Sequence, residues 1–299
     1  MAKPPSREVK PAIAGIDGLL KQFRVRYSEA LSAVEGMHEK ACDAGIGWPQ
    51  WCWLPMAAFH TLAISYGGNP ATEVGRSAAL ALWELGRGVY VPDTAVAEVA
   101  YKSLRHAATA GAVDWHRVPL PPLESWAGRL PEWCCYLALP PELADLDVPV
   151  DVFRPRGVYV NLESDANTGR SELRLLLDTD GTWDGFVPIP VYLDRPTLGA
   201  AIADMSAVSD AAAAGAYGVD LRTADGPSTV VSMRGLVVWM VLPFVLALID
   251  PDARHADFER PGDAPVSAQP GHNGRLRPAK STRTWRITYR TPGRHLRSI

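Results

Sequence analysis

Two runs of alternating apolar and polar residues form the clearest pattern in this chain. They cover residues 157–164 and 171–178, and a polar segment with Thr168 and Gly169 separates them. Each run places three apolar side chains on one face: Val158, Val160, Leu162, Leu173, Leu175 and Leu177. Alternation with a period of two predicts β-strands, and the polar break between them predicts the turn of a hairpin.

The register of this hairpin follows from the same pattern. Symmetric closure pairs Ser164 with Ser171 and places Leu162 beside Leu173. A slip of one residue would turn all six apolar side chains to the opposite face, so the pattern specifies one register. The opposite face then carries polar side chains, which we expect to form an outer, accessible surface: Tyr159, Asn161, Glu163, Glu172 and Arg174.

The first third of the chain shows a different period. Apolar residues recur three and four positions apart from Ile16 to Gly45, which predicts one long amphipathic helix. A second helix begins at Asn69-Pro70, where asparagine suits the N-cap and proline the first turn. A third is predicted over residues 92–110.

Strands and helices both recur in the later part of the chain. Further strands are predicted at 132–139, at 186–193 and around Trp285, and Pro188 and Pro190 confine the second of these to a sheet edge. A helix is expected after Pro196, and residues 250–281 are predicted to be a loop. The charge-free stretch 235–249 predicts a buried helix, because fifteen residues fall short of the roughly 20 that span a bilayer.

These elements predict an α+β fold. Residues 1–122 would form a helical N-terminal part that packs on a mostly antiparallel sheet. Residues 123–299 would hold that sheet, its covering helices, the buried helix and a basic C-terminal tail. No membrane segment and no secretory signal is predicted, since the N-terminus lacks a continuous apolar run.

The charge is unevenly distributed along the chain. The net charge is −3, yet all 33 acidic residues precede position 264 and eight cations follow it. Two interpretations remain open: the tail binds RNA or DNA phosphates, or it neutralises the acidic body of its own protein. The candidate nucleic-acid contacts of the first interpretation are Arg275, Arg277, Lys280, Arg283 and Arg286.

No catalytic motif is present. The four cysteines lack CxxC spacing, the seven histidines lack HExxH, and no GxSxG or phosphate-binding glycine loop follows a strand. Glu163, Asp165 and Glu172 are compatible with a metal-dependent nuclease, but a sheet face neutralised by Arg174 is the favoured interpretation. We therefore predict no enzyme, no catalytic residue, no cofactor and no metal site.

Six segments occur in a characteristic order: WPQWCWLP, LPEWCCYLALP, the hairpin, PIPVYL, the apolar helix before DPDARHADFERP, and WRITYRTPGRHLR. In this order they resemble the family of the second type V-A anti-CRISPR protein. That family includes uncharacterised relatives on phages and mobile elements. The resemblance implies a cytoplasmic inhibitor in the bacterial host. It would recognise a type V-A CRISPR effector nuclease, as a finished or a nascent chain, and block it or lower its production.

The resemblance implies a protein interface, and interfaces draw most of their energy from a few Trp, Tyr and Arg residues. The aromatic segments and the polar hairpin face supply such side chains. The acidic body would also suit a basic segment of the partner. The predicted partner-binding residues are Trp51, Trp133, Tyr159, Asn161, Glu163, Glu172 and Arg174.

Overall fold

In the part of the chain that the structure describes, a seven-stranded sheet lies between two layers of helices. The computed structural model describes residues 9–45, 47–109, 117–141, 155–165, 168–205, 207, 238, 240–257 and 278–289. The helices are α1 (Val9–Arg26), α2 (Ala30–Asp43), α3 (Ala57–Ser65), α4 (Pro70–Gly86), α5 (Thr94–Thr109), α6 (Leu123–Ala127), α7 (residues 198–205) and α8 (residues 240–249). The strands are β1 (Gly88–Pro92), β2 (Cys134–Ala138), β3 (Gly157–Ser164), β4 (Ser171–Asp178), β5 (Phe186–Tyr192), β6 (Ala253–Asp257) and β7 (Arg283–Tyr289).

The predicted hairpin is confirmed in both strands and in register. β3 and β4 pair antiparallel, with Ser164 opposite Ser171 and Leu162 opposite Leu173. All six apolar side chains on the predicted face are buried in one core. The proline-containing strand β5 lies at the sheet edge, as predicted.

The sheet is mixed, and its middle contains a strand that the sequence did not predict. The order is β5-β4-β3-β2-β1-β7-β6, and β1 runs parallel to both β2 and β7. The remaining neighbours are antiparallel, which confirms the mostly antiparallel sheet of the predicted α+β fold. β1 comes from the first 122 residues and lies between strands of the later part. The division at residue 122 stays a prediction.

Two further predictions of local structure are corrected. The long helix predicted from Ile16 is two helices, α1 and α2, because Tyr27 turns into the core and Glu29 donates its backbone N–H to the Tyr66 hydroxyl at 3.2 Å. Both helices pack on the same core, so their apolar spacing continues across the break. The segment that was predicted to be a loop from residue 250 contains β6, which pairs with β7, a strand within the basic C-terminal segment.

Helices cover both faces of the sheet. On one face, α1 to α4 pack against side chains that include Val89, Tyr136 and Tyr159. On the other face, α5 to α8 pack against the apolar side of the hairpin and against Trp285 and Ile287 of β7. Alternate residues of the central strands therefore belong to two different cores.

The apolar stretch near residue 240 is a buried helix in its described part. Every residue of α8 is buried, and residues 235–237 and 239 lie outside the described part. Within the described ranges, no helix combines the length and the apolar character that crossing a membrane requires.

Replacing Leu242 by aspartate tests the packing of α8. Leu242 is 2 % exposed, so Leu242→Asp places an unpaired charge in the core and should abolish cooperative unfolding or lower the midpoint severely. Val25→Asp is the matched control because Val25 lies on a helix and is 78 % exposed. Circular dichroism melts of both variants make the comparison. Equal midpoints for the two variants would show that α8 is not packed as described.

Candidate partner-binding groove

The polar face of the hairpin is not an accessible surface. Tyr159, Asn161, Glu163 and Glu172 are each no more than 3 % exposed, so the expectation of an outer face is wrong. Tyr159 belongs to the core beneath α1 to α4, and the Met56 backbone N–H, just before α3, contacts Glu163. Tyr159, for example, packs edge-on against Trp83 at 5.9 Å between ring centroids. These four side chains therefore belong to the protein interior and not to an accessible surface.

The two opposed acids of this face are compensated in different ways. Glu163 accepts a hydrogen bond from the Met56 backbone N–H at 2.7 Å, and burial raises its pKa to about 8. Glu172 forms an ion pair with half-buried Arg174 at 2.9 Å, although burial still raises its pKa. Arg174 thus relieves the opposed acids, as the sequence suggested.

Two of the predicted contact residues do come together. Trp51, from the α2–α3 connection, and Trp133, just before β2, line a groove of about 370 Å³. We call it the Trp51–Trp133 groove. Ala127, Leu130 and Leu162 complete its apolar lining, and its polar lining residues are Gln50 and Glu132.

The groove lies at the seam between the two cores. Trp51 packs against the core beneath α5 to α8, whereas Trp133 packs against the core beneath α1 to α4. Both tryptophans are half-buried. The start of β2 is paired with the last part of β3, which brings Leu162 to the same end of the sheet. Three distant segments of the sequence therefore build one concave surface.

Among the lining residues that sequence reasoning missed, Glu132 is the one with an ionisable side chain. One oxygen of its carboxylate accepts the Gly88 backbone N–H at 3.0 Å, and the other accepts the Tyr90 hydroxyl at 3.0 Å. A Cβ atom at Gly86 or Gly88 would lie 2.2 or 2.3 Å from a carboxylate oxygen, so both glycines are needed for this close approach. The glycines flanking Arg87 were the available signal.

The environment of Glu132 disfavours its charged form. Burial raises its pKa to about 7, despite the opposing hydrogen bonds from Gly88 and Tyr90 and the nearby positive charge of Arg283. The indole nitrogen of Trp133 is also buried and, within the described part of the chain, has no hydrogen-bond partner. The groove thus combines aromatic walls with an acid near its midpoint of titration at neutral pH.

The basic tail lies partly within the sheet. Arg283 and Arg286 belong to β7, and the Arg283 guanidinium lies 4.5 Å from the centroid of the Trp285 ring. Lys280 is exposed, and its backbone carbonyl accepts a hydrogen bond from Arg87 at 3.3 Å. Arg275 and Arg277 lie outside the described residues. Nucleic-acid binding by these five residues stays a prediction.

The described residues offer no candidate metal centre. Among them, no three His, Cys, Asp or Glu side chains are grouped so that they could hold an ion. Cys52, Cys134 and Cys135 are buried free thiols, and burial raises the pKa of each. These thiols are correspondingly poor nucleophiles at neutral pH.

Comparison with known proteins identifies the family of this chain. The AcrVA2-like family model, described as the anti-CRISPR type V subtype A2 family, matches residues 104–296. The chain belongs to the AcrVA2-like family. A crystal structure of AcrVA2 is similar in fold, with a TM-score of 0.60 and 14% sequence identity over 91% of this chain and 84% of that chain. A search of curated proteins found no match.

Membership of the AcrVA2-like family confirms the resemblance seen in the sequence and identifies an anti-CRISPR protein. The matched range includes Glu132 and Trp133 but begins after Trp51. The groove is therefore built from the family's matched segment and from the helical part that precedes it.

The buried acids predict how stability depends on pH. Glu163 has an ordinary pKa of 4.5 and a folded-state pKa of about 8, so the folded chain retains a proton that the unfolded chain releases between these values. This contribution to the free energy of unfolding is present at low pH and is lost as the pH rises from about 4.5 to 8. Glu163→Gln should therefore gain stability relative to wild type between pH 5 and pH 9.

Urea denaturation of wild type and Glu163→Gln at both pH values measures this difference. Exposed Glu124, changed to glutamine, is the control and should follow wild type at both pH values. A difference that is constant from pH 5 to pH 9 would contradict a raised pKa at Glu163.

Proposed function

We propose that this chain inhibits a type V-A CRISPR effector nuclease by binding a segment of that nuclease in the Trp51–Trp133 groove. The observation that carries the proposal is the convergence of Trp51 and Trp133, which are 82 positions apart, on one concave surface of an anti-CRISPR protein. Other predicted contact residues, such as Tyr159 and Glu163, are buried and do not line this groove.

The size and lining of the groove favour a peptide segment over a broad, flat interface. Ligand sites generally begin near 300 Å³, so about 370 Å³ admits one or two large side chains. Half-buried tryptophans provide a large contact area with little loss of side-chain entropy, and truncating such an anchor commonly costs about 2 kcal/mol or more. A short segment with protruding side chains fits these dimensions.

Recognition of a segment is compatible with action on a nascent chain. An extended peptide needs no folded effector around it, so the groove is able to engage the segment before the nuclease has folded. Binding at that stage would lower the amount of effector that is made. Binding to the finished nuclease would instead block activity at an unchanged amount.

The proposal assigns different roles to the residues predicted from the sequence. Trp51 and Trp133 contact the partner directly. Tyr159 and Glu172 act through the fold, so their substitution should reduce binding only as far as it unfolds the protein. Arg174 is half-buried and neutralises Glu172, and it belongs to this supporting group.

Affinity capture of a purified type V-A effector tests the proposal. Trp51→Ala and Trp133→Ala should each weaken capture at least about tenfold while retaining the wild-type circular dichroism spectrum. Ile64→Ala is the control, since Ile64 is a large apolar residue that is 57 % exposed and lies outside the groove lining. Effector protein and messenger RNA, measured in cells that express each variant, separate lowered production from blocked activity.

The alternative gives a different result in the same assays. If wild type captures no type V-A effector, and instead binds RNA in a salt-sensitive manner that Lys280→Ala and Arg283→Ala weaken, the chain is a nucleic-acid-binding regulator. Equal capture by wild type and both tryptophan variants would place the interface elsewhere on the protein.

A further inference from the structure

We propose that the Trp51–Trp133 groove selects a cationic side chain, that of arginine or lysine, in the segment it binds. This inference rests on the proposed function for the identity of the partner but not for the chemistry of the site. Two tryptophans and one glutamate, Glu132, share the lining of a single groove, and Glu132 is 4 % exposed. That combination suits a delocalised or tetrahedral cation better than a neutral apolar group.

The indoles supply the first part of the recognition. The face of a tryptophan ring attracts a cation within about 6 Å of its centroid, and the attraction increases when the site is shielded from water. This chain already uses the interaction elsewhere, where the guanidinium of Arg170 lies 3.8 Å from the centroid of the Tyr192 ring. Trp51 and Trp133 offer two such rings from opposite sides of the seam between the cores.

Glu132 supplies the second part. Its two hydrogen bonds come from Gly88 and Tyr90, which belong to β1 and lie inside the protein. Each carboxylate oxygen can accept a further hydrogen bond, so both retain capacity for an incoming donor. A guanidinium or ammonium group in the groove would provide that donor together with the opposite charge.

The groups around Glu132 do not fully compensate the negative charge of its ionised form, so a cationic partner would be favourable. The groups that face it are Tyr90 of β1, Cys134 and Cys135 of β2, and the cation Arg283 of β7. Burial raises the pKa of Tyr90 and of both thiols well above neutral, so these groups remain uncharged there. Arg283 does not offset the burial of Glu132, whose pKa is still raised to about 7.

Cation binding is therefore coupled to loss of the Glu132 proton. An acid with a pKa of about 7 is about one-tenth ionised at pH 6 and about nine-tenths ionised at pH 8. If only the ionised form binds the cation, its affinity should be about tenfold greater at pH 8 than at pH 6. A neutral side chain of the same shape would leave the proton in place and show no such dependence.

The distribution of charge along the chain also favours a cationic side chain in the groove. All acidic residues precede position 264, so the part of the protein that carries the groove is acidic in sum. An acidic surface attracts a basic segment and increases its rate of encounter at low salt.

Titration with small probes tests the inference without the effector. The probes are Nα-acetyl-arginine amide and its neutral isostere Nα-acetyl-citrulline amide. The readout is the indole N–H resonances of protein labelled with ¹⁵N-tryptophan, with Trp51 and Trp133 assigned from the variants Trp51→Phe and Trp133→Phe. We expect the arginine probe to shift both resonances to saturation, at least about tenfold more tightly than the citrulline probe at pH 8.

Glu132→Gln should remove the preference for arginine and the pH dependence between pH 6 and pH 8. If that variant does not fold, Trp51→Leu provides the second test, because it should weaken the arginine probe several-fold and leave Glu132 intact. Equal affinity for the two probes, no shift with arginine, or an arginine affinity independent of pH would overturn the inference.

The outcome is separable from that of the proposed function. Capture of the effector through the tryptophans, without discrimination between arginine and citrulline, would refute cation selection and leave the function standing. Selective binding of the arginine probe without effector capture would support the cation site and refute the function.

Discussion

The central strands are shielded from water on both faces, by α1 to α4 on one side and α5 to α8 on the other. A carboxylate on either face then has to be protonated or supplied with donors from within the protein. Asp178 accepts the Tyr136 hydroxyl and the Gly181 backbone N–H, and Glu163 accepts the Met56 backbone N–H. The bonds from Gly181 and Met56 each attach a connecting segment to the sheet.

The same attachments organise the groove. The bond from Met56 to Glu163 holds the connection that also carries Trp51, and the bonds to Glu132 hold the start of β2 beside Trp133. Since the groove lies at the seam between the cores, its shape depends on both layers of helices. A segment that binds there meets a surface fixed before binding, which reduces the entropy lost on association.

Local pattern determined which parts of this structure were predictable. Alternation specified the β3–β4 register, and Asn69-Pro70 marked the start of α4. Alternation also grouped the polar hairpin side chains correctly but carried no information about what would cover them. Strand β1 was not predicted, because it has only five residues and its parallel partners, β2 and β7, are distant in sequence. Glu132 was missed because its hydrogen-bond partners are more than 40 positions away in sequence.

Site-specific photocrosslinking tests most directly whether the partner segment lies in the Trp51–Trp133 groove. A benzophenone amino acid replaces Gln50, an exposed residue of the groove lining, or Lys21, an exposed residue of α1 outside that lining. Irradiation with a type V-A effector should crosslink from position 50 to one short segment, and not from position 21. Crosslinks from position 21 alone, or equally from both positions, would contradict the account.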